Sequence, residues 1–227
     1  MNQAYPETES TIEAREGNAS HEIGEDILTI ARRNPSYQYL AADWVGKSAQ
    51  NGVIFNEAMF EGAKIYADDV MQVMHETGVF GPNLRIEQSV DIPRVHDLNR
   101  GTPDCSIYHQ TGKRLYLWDY KFGFSVVEAF ENWQGIEYIA GLLDELGIDG
   151  ILEQELTVHL RIVQPRAYHR EGVIREWVVQ ASELRAYVNI LAGNARKALS
   201  DDAEFHTGAH CANCPGRHAC EPALKAG

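Results

Sequence analysis

Hydrophobic positions along the chain change period several times, and each change marks an element. Ile23, Ile27 and Ile30 recur at helical spacing and predict a helix over residues 15–32, stopped by Asn34-Pro35. The polar residues 1–14 before it read as irregular, and the mixed residues 37–56 after it read as loop. Met59, Ala63, Tyr66, Val70 and Val73 make the buried face of a second helix, residues 57–76, which Gly78 ends. After the turn Gly81-Pro82-Asn83, Leu84, Ile86, Gln88, Val90 and Ile92 alternate with Arg85, Glu87, Ser89 and Asp91. That period of two predicts one strand over residues 84–92. A hairpin follows: one strand closes at residues 106–108, a polar turn spans 109–113, and 115–122 form an aromatic and branched strand. Trp133, Ile136, Ala140 and Leu143 predict a helix over 127–146, broken off by Gly147 and Gly150. Strands over 156–163 and 173–179 then flank a turn at Glu171-Gly172, and a helix over 182–199 closes the pattern.

The hairpin carries the first candidate chemistry. Side chains alternate along a strand, so Asp119 and Lys121 share a face, with Leu115 and Leu117 deeper on it. Asp104 opens the partner strand and comes alongside. Two carboxylates and an ammonium converge at the hairpin's open end. Carboxylate oxygens suit Mg²⁺ or Mn²⁺, and a lysine beside a metal-bound water orients that water. A surface hairpin with an incidental ion pair has the same residues. Glu87 faces the same way as Asp104 and has the chemistry to hold a cation directly or through water; it is equally what a solvent-facing strand residue looks like. On the first helix His21 and Glu25 are four apart and share a face, with Gly24 beside them. Gln134 and Tyr138 are also four apart on one helix face.

Composition narrows the class. At 227 residues, 44% apolar and 23% charged, the chain reads as one soluble globular domain with no membrane span and no secretory signal, expected in the cytoplasm. A net charge of −13 argues against broad electrostatic binding of nucleic acid, though a carboxylate-lined site counts as negative until its cations arrive. The four cysteines are too few for a disulfide scaffold, and three of them fall in Cys211-x₂-Cys214 and Cys220. That spacing is a metal signal. Zinc accepts three thiolates completed by His210 or His218, while an iron–sulfur cluster usually takes four. A thiol cluster without metal is the third reading. Cys105 adjoins Asp104 on a strand and faces away from it, into packing.

Pro103-Asp104 followed by Asp119-Tyr120-Lys121 resembles the PD-(D/E)XK nuclease signature. Gly17-x-x-x-His21 upstream, Gln134-x-x-x-Tyr138 downstream and the cysteine tail extend the resemblance, in order, to the RecB-like exonuclease branch of phage or prophage type. The resemblance implies an α/β restriction-endonuclease-like core, a mixed β-sheet flanked by helices, over residues 15–205, with residues 206–227 as a cysteine-rich tail packed on it. It implies a Mg²⁺- or Mn²⁺-dependent DNA nuclease, acting in DNA processing or recombination with DNA and a recombination or helicase partner. His21, Asp104, Asp119 and the Tyr120 carbonyl would hold the cation, Lys121 would orient the attacking water, and Gln134 and Tyr138 would position the strand and the lysine. In the resembled family the C-terminal cysteines join one near the N-terminus to hold a [4Fe–4S] cluster; here no cysteine precedes Cys105. The contrasting reading is a catalytically inactive nuclease-fold DNA-binding or scaffold module with a structural metal site.

Overall fold

The computed structural model describes residues 11–226 except Pro215, without the side chains of Ala212, Asn213 and Ala226. The irregular segment expected over 1–14 therefore lies largely outside the described residues. The part inside them is corrected: helix α1 (Ile12–Arg33) begins three residues earlier than the apolar stripe suggests. Thr11 is the reason, since its side-chain oxygen accepts the Ala14 N–H at 3.2 Å and satisfies the first turn. Ile23, Ile27 and Leu28 are buried, whereas Ile30 is exposed, so the buried stripe runs through Leu28 instead.

Helix α2 (Glu57–Thr77) matches its pattern closely: Asn56 caps its start and Gly78, at φ 68°, ends it. Strand β1 (Leu84–Ile86) stops at Glu87, whose φ of 47° breaks the expected single strand. The chain resumes as β2 (Val90–Asp91), pairs with β3 (Arg100–Gly101), and enters β4 (Cys105–His109) and β5 (Arg114–Tyr120). The kink has a consequence for packing. Leu84 and Ile86 lie in the core under α1 and α2, whereas Val90 and Ile92 lie in a second core on the opposite side of the sheet.

Helix α3 (Trp133–Glu145) starts six residues later than expected, capped by Asn132, and Trp133 is exposed instead of lining its buried face. The short α4 (Gly150–Glu155), which the glycines masked, leads into β6 (Thr157–Val163) and β7 (Ile174–Gln180). A 3₁₀ turn at Ala181–Leu184 precedes α5 (Arg185–Ala198), and a further short helix, α6 (Glu221–Ala226), lies in the tail. The main sheet runs β1-β4-β5-β6-β7. Only β5 and β6 are parallel, and α3 and α4 make the crossover between them. This is an α/β fold with a mixed five-stranded sheet between helices, consistent with a restriction-endonuclease-like core. No helix among the described residues is long and apolar enough to cross a membrane.

Strand β5 organises both cores. Tyr116, Trp118 and Tyr120 face α1 and α2, while Leu115 and Leu117 face α3. The Tyr120 ring stacks on Tyr66 at 5.1 Å, and its hydroxyl meets Ser20 Oγ at 2.7 Å. Two helix glycines permit this. A Cβ on Gly24 would press into the Tyr66 ring, and one on Gly62 would overlap the Tyr120 hydroxyl. The close approach at Gly24 is therefore made by an aromatic ring of the core.

The segment between β5 and α3 is irregular because two buried polar side chains compete for its backbone. Gln164 Nε2 donates to the Gly123 and Ser125 carbonyls at 3.0 and 2.8 Å, and its Oε1 accepts the Val127 N–H at 3.0 Å. Arg175, buried, donates to the Val127 carbonyl at 2.6 Å and to Gln164 Oε1 at 2.7 Å. Arg175→Ala is expected to take the guanidinium from the Val127 carbonyl, to leave Gln164 Oε1 with the Val127 N–H alone, and to cost about 2–4 kcal/mol of stability. Chemical denaturation checks it: a cost below about 0.5 kcal/mol would show that the network is dispensable.

Candidate metal centre

The site forms where β5 ends. Asp104 immediately precedes β4, and its Oδ2 accepts the Tyr120 N–H at 2.6 Å, so the two strands fix its orientation. His21 projects from α1 with its ring 4.9 Å from that of Tyr120. Its Nδ1 lies 3.6 Å from Asp104 Oδ1 and 3.8 Å from Glu87 Oε1. These separations exceed a hydrogen bond and suit ligands sharing one cation at about 2 Å each. The kink at Glu87 gives it this position: its N–H donates to the Asp104 carbonyl at 3.0 Å, turning the side chain towards His21. His21, Glu87 and Asp104 each offer one ligand atom within 4.8 Å of the others, the one such set of three among the described residues.

Asp119 adds the decisive detail. It is buried, Oδ1 pairs with Lys121 Nζ at 2.9 Å, and Oδ2 has no hydrogen-bond partner. A buried carboxylate oxygen without a donor is costly unless something positive approaches it. Burial raises the Asp119 carboxyl above its ordinary range, against the pull of Lys121 and His21. Burial, reinforced by Asp119 and Glu87 and opposed by His21, pushes Asp104 up to about 7. Burial lowers His21, but the Glu87 and Asp104 carboxylates outweigh it and hold the imidazole above its usual value. Protons thus stand in for missing positive charge. The donors fit a hard divalent cation: the imidazole of His21 and the carboxylates of Glu87 and Asp104 converge, and Asp119, outside that set of three, offers its unpaired oxygen nearby.

Lys121 leaves β5 through its N–H, which donates to the Val163 carbonyl at 2.8 Å. Its ammonium bridges Asp119 and Gln134 Oε1, the latter at 3.1 Å, and Gln134 Nε2 donates to the Tyr138 hydroxyl at 2.9 Å. Gln134 and Tyr138 therefore hold the lysine from α3. Tyr138 packs on Gly101, where a Cβ would overlap its ring. The Tyr120 carbonyl lies between Asp119 and Lys121 in sequence, while its side chain is committed to the core.

A cleft of about 500 Å³ opens over His21, Glu25, Glu87 and Asp104, walled by Gln50 and Asn51. Burial and then Glu87 raise the Glu25 carboxyl too. The wall was not legible in the sequence, where residues 37–56 read only as loop. Its anchors are long-range: Gln50 N–H donates to Glu22 at 2.9 Å, and Asn51 Nδ2 to the Arg15 carbonyl at 2.8 Å.

Cys211 and Cys220 are half-buried and Cys214 is exposed, and their sulfurs form no group within 4.8 Å among the described residues. His210 is engaged with the His206 carbonyl and His218 with Arg217. Cys105 is buried in the core near Tyr66, as packing.

Residues 1–226 match the profile of DUF2800, described as a protein of unknown function. The chain belongs to the DUF2800 family. No curated protein matches it. In this DUF2800 chain His21, Glu87, Asp104, Asp119 and Lys121 come from α1, the β1–β2 kink and the β4–β5 hairpin.

Proposed function

We propose that this DUF2800 chain is a divalent-cation-dependent DNA nuclease of the PD-(D/E)XK, RecB-like kind, working as an exonuclease in DNA processing or recombination in the cytoplasm. The observation that carries the reading is the buried Asp119, one oxygen on Lys121 and the other unpaired, beside the His21–Glu87–Asp104 set. Mg²⁺ or Mn²⁺ on these residues and the Tyr120 carbonyl would polarise the phosphodiester and acidify a bound water.

The chain's own groups supply the rest. A lysine ammonium has three donors. Lys121 spends one on Asp119 and one on Gln134, leaving the third for the attacking water or a phosphate oxygen. Tyr138 fixes the Gln134 amide, so the ammonium is aimed before substrate arrives. Glu25 and Glu87 keep the cleft anionic, which disfavours phosphate until cation binds. The proposed dependence on cation is therefore steep.

The test is digestion of linear duplex, circular duplex and single-stranded DNA by purified protein with Mn²⁺ or with chelator. Cation-dependent loss of the linear substrates with circles spared is the expected result. No cleavage of any form would refute the proposal, and nicking of circles would overturn its exonuclease part.

A further inference from the structure

An imidazole that binds a metal is ordinarily aimed from behind. The nitrogen away from the cation donates to a carboxylate, a carbonyl or a water, and that bond fixes the plane of the ring. His21 differs. Its Nδ1 faces Asp104 and Glu87 at 3.6 and 3.8 Å, and no carboxylate or carbonyl among the described residues is hydrogen-bonded to its Nε2. The ring that touches it is Tyr120, with 4.9 Å between centres and 43° between planes.

Tyr120 is itself firmly held. It is fully buried and lies parallel to the Tyr66 ring, 5.1 Å between centres. Its hydroxyl meets the Oγ of Ser20, the residue before His21, at 2.7 Å, and that Oγ donates to the Met59 carbonyl of α2 at 3.0 Å. The tyrosine is therefore the donor to Ser20. This bond is the one hydrogen bond among the described residues that joins α1 to β5. The joint matters because the ligands ride on separate elements: His21 on α1, Asp104 and Asp119 on the hairpin. Ligands must be held to about half an ångström to share a cation well. The Tyr120 N–H meanwhile holds Asp104 Oδ2 at 2.6 Å. One residue thus touches two ligands of the proposed site, Asp104 by its backbone and His21 by its ring.

We propose that the Tyr120 ring is the positioning group for His21: packed on Tyr66 and tied to α1 through Ser20, it sets the plane in which the imidazole meets a divalent cation. The face of an aromatic ring carries negative potential, which also favours a neighbour that gains positive charge. This role rests on the cation site of the nuclease reading, and DNA takes no part in its measurement.

The test is Mn²⁺ affinity, read by electron paramagnetic resonance of the free ion, in Tyr120→Leu and Tyr120→Phe, each made in the native chain and in His21→Ala. Melting in chelator is recorded on the same samples. Tyr120→Leu leaves the backbone N–H on Asp104 and is expected to weaken Mn²⁺ binding at least about tenfold, the usual loss when a partner behind a metal ligand is removed. Tyr120→Phe gives up the bond to Ser20 and keeps the ring, so it should melt below the native protein yet recover most of the affinity. In His21→Ala, Tyr120→Leu should change the affinity by less than about twofold, because the ligand it positions is gone. A tyrosine that only supports the fold would behave otherwise. Its replacement would weaken Mn²⁺ by the same factor with and without His21, and phenylalanine and leucine would follow the melting temperature alike. Either of those results, or native affinity in Tyr120→Leu, overturns the role. Should Tyr120→Leu fail to fold, Tyr120→Met, whose flexible side chain fills irregular space, carries the same comparison. The two readings fail separately. Native protein that binds no Mn²⁺ removes the cation site and this role with it, whereas binding that is indifferent to Tyr120 removes this role alone.

Discussion

Asp119→Asn is expected to lower Mn²⁺-dependent cleavage of DNA by at least about a thousandfold, some 4 kcal/mol of barrier. The substitution keeps the shape of the side chain and removes its charge. Asp119 Oδ2 is buried with no partner, so an amide there offers a cation a weaker neutral oxygen or an amide nitrogen that cannot ligate. The same change weakens the pairing that aims Lys121. The fold should survive, because the metal-free site loses one of several crowded negative charges. Cleavage, Mn²⁺ titration and thermal melting of one preparation check the three parts. Cleavage at the native rate would remove Asp119 from the mechanism.

The second large effect links metal, pH and stability. The Asp104 carboxyl titrates near 7 in the folded chain against an ordinary value of 3.8. The folded state therefore holds a proton that the unfolded state has released. Stability falls as pH rises from about 4 to 7, and above 7 the full cost is present. At about 1.4 kcal/mol per unit the ceiling is roughly 4 kcal/mol, and the side chain is only 12% exposed, so solvent screens little of it. Asp104→Asn should thus stabilise the metal-free protein by a few kcal/mol at pH 8 and by much less at pH 5. The asparagine carbonyl can still accept the Tyr120 N–H. Mn²⁺ should relieve the same cost in the native chain. At a hundred times its dissociation constant it contributes about 2.7 kcal/mol, a rise in melting temperature of roughly 5–10 °C for a domain of this size. Below pH 6 that rise should shrink, because protons on Asp104 and His21 compete with the cation. Melting curves with Mn²⁺ and with chelator at pH 5.5 and 8 measure it. An equal Mn²⁺ shift at both pH values would contradict the assignment of Asp104 and His21 as ligands.

What the sequence revealed and what it hid have physical causes. Helix α2 was legible at both ends because Asn56 and Gly78 are local stop signals. The β4–β5 hairpin was legible because its period of two is intact on both strands. The strand over 84–92 was misread because alternation carries no record of a kink. Glu87 adopts positive φ through a backbone bond to Asp104 that sequence spacing does not reveal. The start of α3 was misplaced because Gln164 and Arg175, distant in the chain, capture the backbone of residues 123–127. Ile30 and Trp133 looked like core because helical spacing cannot tell a buried ring from an exposed one. At the site, His21, Asp104, Asp119 and Lys121 could be named from their order along the chain. The unpaired Asp119 oxygen and the Gln50–Asn51 wall arise only from tertiary packing.

The most direct measurement compares wild-type protein with Lys121→Ala, with Mn²⁺ binding and DNA cleavage read in the same samples. Lys121 touches Asp119 through one oxygen and leaves His21, Glu87 and Asp104 in place, so the variant should retain Mn²⁺ affinity within a few-fold. Cleavage should fall by roughly a hundredfold or more, the usual loss when a proton-transfer or orienting group is removed. Wild-type protein that binds Mn²⁺ and cuts no DNA, or a Lys121→Ala variant that cuts as fast as wild type, would contradict the nuclease assignment at its centre.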